Sequence, residues 1–257
     1  MRPVKRQLSV CSVLLATGAL LAGCGSSSHP ATTATADAGT VVQASSAPGT
    51  SLTKAQARAF ARAVNLRAQD LPGFKVSRPE HEHETSAEKQ QGHALLRCVG
   101  SVAFKRSLFE AGSKDFERQT NSSTESVRSD VEVAPTPALA AEELAAARSE
   151  HARVCLSSFL QQLFSTQGHS EGGTVGPVSV EVFTPSAPGT AGTFGWRIGT
   201  TFSLHGIRVP VRFDILGFGY RTALVLLFDF GFPQPPARSH EQSLFSLLIS
   251  RAQSFPR

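Results

Sequence analysis

Tryptophan and tyrosine are nearly missing from this chain: one of each stands against 17 phenylalanines in 257 residues. Sugar and peptide platforms draw on Trp and Tyr, which join an apolar body to a polar tip, so a lectin-like role has little to build on. An apolar pocket between sheet and helices suits this aromatic set better. Catalytic signatures are scarce too. There is no G-x-S-x-G elbow, and Ser, His and Asp are too common for a triad to be singled out. No G-x-x-x-x-G-K-[ST] loop or dinucleotide fingerprint occurs, so no cofactor is implied. Basic stripes with interleaved aromatics are also lacking, which removes the electrostatic basis for nucleic-acid binding. The longest apolar stretch, Leu8 to Ala22, is shorter than the roughly 20 residues a membrane span needs.

What is present at the N-terminus accounts for that short stretch. A basic opening, Met1 to Arg6, precedes "LSVCSVLLATGALLA", and Leu21-Ala22-Gly23-Cys24 ends it. The layout is that of a secretory signal. Its last four residues resemble the lipobox of bacterial lipoproteins, L-[AS]-[GA]-C. The resemblance implies cleavage before Cys24, a diacylglyceryl group on its sulfur and a further fatty acid such as palmitate. The alternative is an ordinary signal peptide with a chance cysteine. One acyl chain binds a membrane only marginally, and two suffice for stable anchoring. The expected partner of Cys24 is therefore the lipid bilayer. The expected place is the outer face of the cell membrane, or the outer membrane in a Gram-negative source.

Processing changes the charge and cysteine inventory. Of the 25 basic residues, Arg2, Lys5 and Arg6 would leave with residues 1–23, so 22 face 20 acidic ones. Abundant Arg and Ala hint at a high-GC genome. Cys11 would leave as well, and only Cys98 and Cys155 remain in the exported body. In an oxidising compartment such a pair reads as a disulfide. It would close a loop of about 57 residues, worth roughly 4 kcal/mol in the chain-entropy picture. Two free buried thiols are the other possibility. Residues 25–50, "GSSSHPATTATADAGTVVQASSAPGT", are small, polar and nearly uncharged. They cannot bury enough apolar surface to order. As a coil, about 26 residues reach roughly 28 Å. The expected organisation is signal 1–23, lipidated Cys24 and tether to 50, and one domain over 51–257.

Within that domain, Thr53-x-x-Gln56 predicts a capping box and a helix running to Leu71. Phe60, Ala63, Val64 and Arg67 recur at helical spacing. A second helix passes through Ala94, Leu95 and Cys98 and stops at Gly100. Val127, Val131 and Val133 mark a strand. Thr136 caps a helix with Pro137 at its first position, and another helix runs from about Glu150 to Phe164. Phe194, Trp196, Ile198, Phe202 and Leu204 are all even. Ile207, Val209, Val211, Phe213 and Ile215 are all odd, with His205-Gly206 between. Two period-two runs about a two-residue loop predict a hairpin whose paired positions sum to 411. Its apolar set then shares one face, and Arg197 meets Asp214 on the other. Pro210 in mid-strand implies a bulge or an edge. Gly217-Phe218-Gly219-Tyr220 reads as the next turn. "RTALVLLFDF" reads as a strand buried on both faces, and Ser239-x-x-Gln242 as the cap of a last helix with Leu244, Leu247, Leu248 and Arg251 on one side. A further strand is expected near Val178–Val182. The fold class is α+β: an antiparallel sheet, with a meander over 193–230, covered by N-terminal, middle and C-terminal helices.

This layout resembles an actinobacterial group. The tether, the helix ending in "DLPGF", the piece "SVRSDVEVAPTPALAAEELAAARSEHARVCL", the meander and the last helix are similar to PknH-type extracellular sensor domains and LpqN-like lipoproteins. Those belong to the Mog1/PsbP-like fold. The likeness covers roughly residues 51–257. It implies a cleft that takes an unknown ligand. The kinase sensors carry two disulfides, whereas this chain has cysteines for one, and it has no kinase domain.

Site candidates follow from the remaining features. Phe218 and Tyr220 at the expected turn, with Phe232 before Pro233, are candidate rim residues for a small apolar ligand; otherwise they close the end of the core. In "HEHE", His81 and His83, with His93 nearby, could capture Zn or Cu; otherwise the segment is a solvated loop. The function expected is a non-catalytic ligand-binding or sensor-type domain at the cell envelope. The alternatives are an envelope protein-interaction module without a small ligand, and an envelope hydrolase.

Overall fold

The computed structural model describes residues 51–77, 94–95, 97–100, 107–170 and 172–256. Cys24, the tether and His81, His83 and His93 lie outside the described residues. Helix α1 spans Lys54–Val64, and a 3-10 turn, Ala68–Asp70, leads to β1, Lys75–Val76. Strands β2, Phe109–Gly112, β3, Phe116–Gln119, and β4, Thr124–Val133, follow. Helices α2, Pro137–Ala147, and α3, Glu150–Ser170, precede β5, Thr174–Val175, and β6, Ser179–Phe183. The long strands β7, Gly192–Leu204, β8, Ile207–Tyr220, and β9, Ala223–Phe232, lead to α4, Arg238–Ser254. All pairings are antiparallel, in the order β1-β3-β4-β9-β8-β7-β5. β2 adds to the other half of β4's edge, and β6 to β7 beside β5. The fold is α+β, with the β7–β8–β9 meander over the expected stretch.

The hairpin register agrees with the sequence arithmetic. Leu204 faces Ile207, Phe202 faces Val209, Ile198 faces Phe213 and Trp196 faces Ile215. His205 and Gly206 both have positive φ, 50° and 81°, as a two-residue primed turn demands. Arg197 and Asp214 pair at 2.9 Å. β9 pairs with β8 only from Arg212 onward, so Pro210 sits where β8 has β7 on one side alone. The missing N–H is thus at an edge, without a bulge.

Helices lie on both faces of the sheet. β9, buried almost throughout, divides its side chains between two cores. Val225 and Leu227 join Phe60, Val64, Val127, Val131, Phe218, Phe245 and Leu248 beneath α1 and α4. Leu224 and Leu226 join Leu144, Leu156, Leu160, Phe164, Phe194, Ile198 and Phe202 beneath α2 and α3. A doubly buried central strand is what a continuous apolar run signals. Cys98 and Cys155 form a disulfide, with Cα atoms 5.8 Å apart, tying the helical turn ending at Gly100 (φ 75°) to α3.

Several local expectations are corrected. Gly217–Tyr220 is not a turn: β8 runs through it, and the chain reverses at Arg221 (φ 54°) and Thr222. The glycines serve packing instead. A Cβ on Gly217 would lie 2.3 Å from the Phe194 ring, and one on Gly219 3.0 Å from Leu144. Helix α1 ends at Val64, not Leu71. Asn65 leaves the helix because its side chain donates to the Ala111 carbonyl and accepts from the Ser129 hydroxyl, which in turn accepts from the Leu66 N–H. Buried tertiary hydrogen bonds thus outweigh helix propensity here. Ser239 does not cap α4. The helix starts at Arg238 with Ala237 at the N-cap and no side-chain cap. Helix α3 runs six residues past Phe164.

Candidate functional site

The expected ligand rim does not form as one surface. Phe218 is fully buried and packs edge-on against Phe245 of α4. Tyr220, half-buried, stacks on Phe60 of α1. Phe232 lies at the far end of β9, on the opposite face, in the core beneath α2 and α3. Phe218 and Tyr220 therefore close the end of the α1/α4 core, and Phe232 is not brought to them.

A different constellation forms where the first turn of α4 meets the sheet. Alternation along each strand sets it up. The positions that bury Val225 and Leu227 on β9 bring Asp229 to the same face. On β4, Val127 and Val131 bring Glu125, and on β8, Leu216 and Phe218 bring Asp214. The register then lines up charged groups across the sheet: Arg197 opposite Asp214, Asp214 opposite Asp229, and Glu125 opposite Arg118. From above, α4 adds His240 and Glu241.

The contacts within it are specific. His240 Nδ1 lies 3.0 Å from Glu125 Oε1, and Arg118 forms an ion pair with Glu125 Oε2. Phe74 stacks on the His240 imidazole at 5.6 Å between ring centres, and the Arg118 guanidinium lies 4.7 Å from the Phe74 ring centre. Asp229 is fully buried, and neither of its carboxylate oxygens has a hydrogen-bond partner among the described residues. One donor atom each from Glu125, Asp229 and His240 lies within 4.8 Å of the other two.

The electrostatics are strongly acidic. Burial, with Glu125, Glu241 and Asp214 close by, pushes the Asp229 carboxyl up to about 9. Burial and a hydrogen bond with Asp214 raise Glu241 in the same way. A second acidic group sits on the other face: Glu132 of β4, Glu143 of α2 and Glu110 of β2. Burial and mutual repulsion raise Glu132 to about 9 and Glu143 to about 7. That group holds no imidazole. Cys98, His151 and Cys155 also cluster, but the two sulfurs are bonded to each other and cannot serve as thiolate ligands.

Sequence reasoning missed Glu125, Asp229 and His240, which are scattered over 115 positions. One signal was there: Asp229 interrupts "LVLLFDF", a run read as buried on both faces. A charge inside such a strand needs a partner. Comparisons with family models, characterised proteins and solved structures find no match to this chain.

Proposed function

We propose that this chain is a lipid-anchored binding domain working outside the cytoplasm, held at the outer face of the cell membrane through diacylglyceryl-Cys24. The Cys98–Cys155 disulfide is the observation that carries the reading. A bridge between the only two cysteines of the exported body suits an oxidising compartment. The lipobox-like "LAGC" and the polar tether give that location a mechanism. The resemblance to PknH-type sensor domains and LpqN-like lipoproteins belongs to the same proposal. Binding, rather than hydrolysis, is favoured by the character of the α4 cluster. It converges carboxylates and an imidazole, donor types that suit a bound cation.

The test is a Cys24→Ser variant expressed in an actinobacterial host, followed by fractionation and labelling with an alkyne palmitate analogue. Wild type takes the label and sediments with the envelope, while the variant takes none and keeps its signal. A variant that stays with the envelope at wild-type mobility overturns the reading.

A further inference from the structure

Two places among the described residues bury carboxyls whose oxygens lack hydrogen-bond partners: Glu132 with Glu143, and Asp229. Their surroundings differ in kind. Glu132 and Glu143 face another acid, Glu110, so their only relief is a proton. Asp229 faces an imidazole and a carboxylate, each with a donor atom within 4.8 Å of its own. An unpaired carboxylate fully out of water costs several kcal/mol unless a proton, a cation or a metal compensates it. Arg118 offsets it only in part and without a hydrogen bond to it, because its ion pair is with Glu125.

We infer that Glu125, Asp229 and His240 hold one divalent cation of the Zn2+ or Mn2+ class. The donor chemistry selects that class. Carboxylate oxygen with imidazole nitrogen suits Zn2+ and Mn2+, and no thiolate or thioether is present to favour a softer ion. The spacing agrees. Two donors about 2.1 Å from one metal lie roughly 3.0 Å apart in octahedral and 3.4 Å apart in tetrahedral geometry. His240 Nδ1 and Glu125 Oε1, 3.0 Å apart in their direct contact, already stand at such a separation, and Asp229 offers an oxygen within 4.8 Å of both. The charge balance agrees as well. Four carboxyls, Glu125, Asp229, Asp214 and Glu241, outnumber Arg118, Arg197 and Arg238 by one when all are ionised, so a cation here meets a net negative cluster.

The supporting groups behave as outer-shell residues do around a metal. Arg118 holds the far oxygen of Glu125, and Phe74 fixes the plane of the His240 ring. The three ligands come from β4, β9 and α4, so occupancy would clamp the start of α4 to the sheet. That start lacks a side-chain cap. His240, with its side chain 26% exposed, is the entry side. The inference gives the binding-domain reading its ligand class, yet it does not depend on the anchor, so the Cys24 experiment and the metal experiment fail separately.

The test uses the full chain, purified in detergent with its disulfide intact and stripped with a chelator. It is titrated calorimetrically with Zn2+ and, separately, with Mn2+ at pH 7.5. One equivalent of at least one of the two binds wild type. Asp229→Asn and Glu125→Gln weaken it by about 100-fold or more. Glu132→Gln, on the opposite face, does not. A variant with His81→Ala, His83→Ala and His93→Ala keeps the site, which separates it from the "HEHE" segment. Equal binding by wild type and Asp229→Asn, or binding that vanishes only in the triple histidine variant, overturns the inference. So does no binding of either ion, since a proton on Asp229 then suffices. Should Asp229→Asn not fold, the wild-type His240 ring resonances decide: they shift on adding the ion, and unmoved resonances overturn the site.

Discussion

Glu132 shows how one side chain ties stability to pH. It sits on β4 facing Glu143 of α2 and Glu110 of β2, with neither oxygen hydrogen-bonded. Burial first, then the two neighbouring carboxyls, raise it from 4.5 to about 9. The folded state therefore holds a proton that the unfolded chain releases near 4.5. Stability from this group is present below that value and is lost as pH rises toward 9. Glu143, raised to about 7, acts in the same direction. Denaturant midpoints of wild type should fall between pH 5 and pH 8.5, and Glu132→Gln should flatten that fall, with its gain largest at pH 8.5. An equal slope in both proteins would place the proton elsewhere. The residue scale is also where the sequence was least legible. His81 and His83 stand out because they are two positions apart in the sequence, whereas His240 acquires Glu125 only through β4 lying beside β9 under α4.

Elements were readable where their signals are local. The Thr53–Gln56 capping box forms, with Gln56 N–H donating to Thr53 Oγ1 and Thr53 N–H donating to Gln56 Oε1. Thr136 accepts from the Leu139 N–H, and Pro137 opens α2. Where a long-range contact competes, the local signal loses. Asn65 breaks α1 to reach Ser129, and Arg251 of α4 then secures the released segment, pairing with Asp70 at 2.7 Å and donating to the Asn65 carbonyl. Helix α4 begins at exposed Ala237 without a cap, leaving its first N–H groups to solvent or to groups nearby. Ala237→Ser should raise stability by about 0.5–1 kcal/mol, read as a higher denaturant midpoint with unchanged slope. No gain would mean those N–H groups are already satisfied.

At the scale of the whole molecule, the disulfide and the two cores divide the work. The 57-residue span between Cys98 and Cys155 contains β2, β3, β4 and α2, so the bridge limits how far those elements separate when the chain unfolds. Replacing both cysteines by serine should cost about 4 kcal/mol on the chain-entropy estimate. Thermal unfolding of wild type in reductant should then match that of the double variant. If reduction leaves the melting temperature unchanged, the bridge is not constraining the unfolded chain.

Short-range regularities lay in the sequence itself. They include the hairpin register about His205-Gly206, the Arg197–Asp214 pair, the caps at Thr53 and Thr136 and the double burial of β9. Each depends on a fixed period or a fixed spacing, which the chain carries along its own length. The tertiary structure alone decided that helices cover both faces, that Phe218 and Tyr220 go inward, and that Glu125, Asp229 and His240 converge. Those outcomes depend on which strands become neighbours and on how close a side chain may come to a glycine. No spacing along the chain encodes distances between segments that meet only after folding.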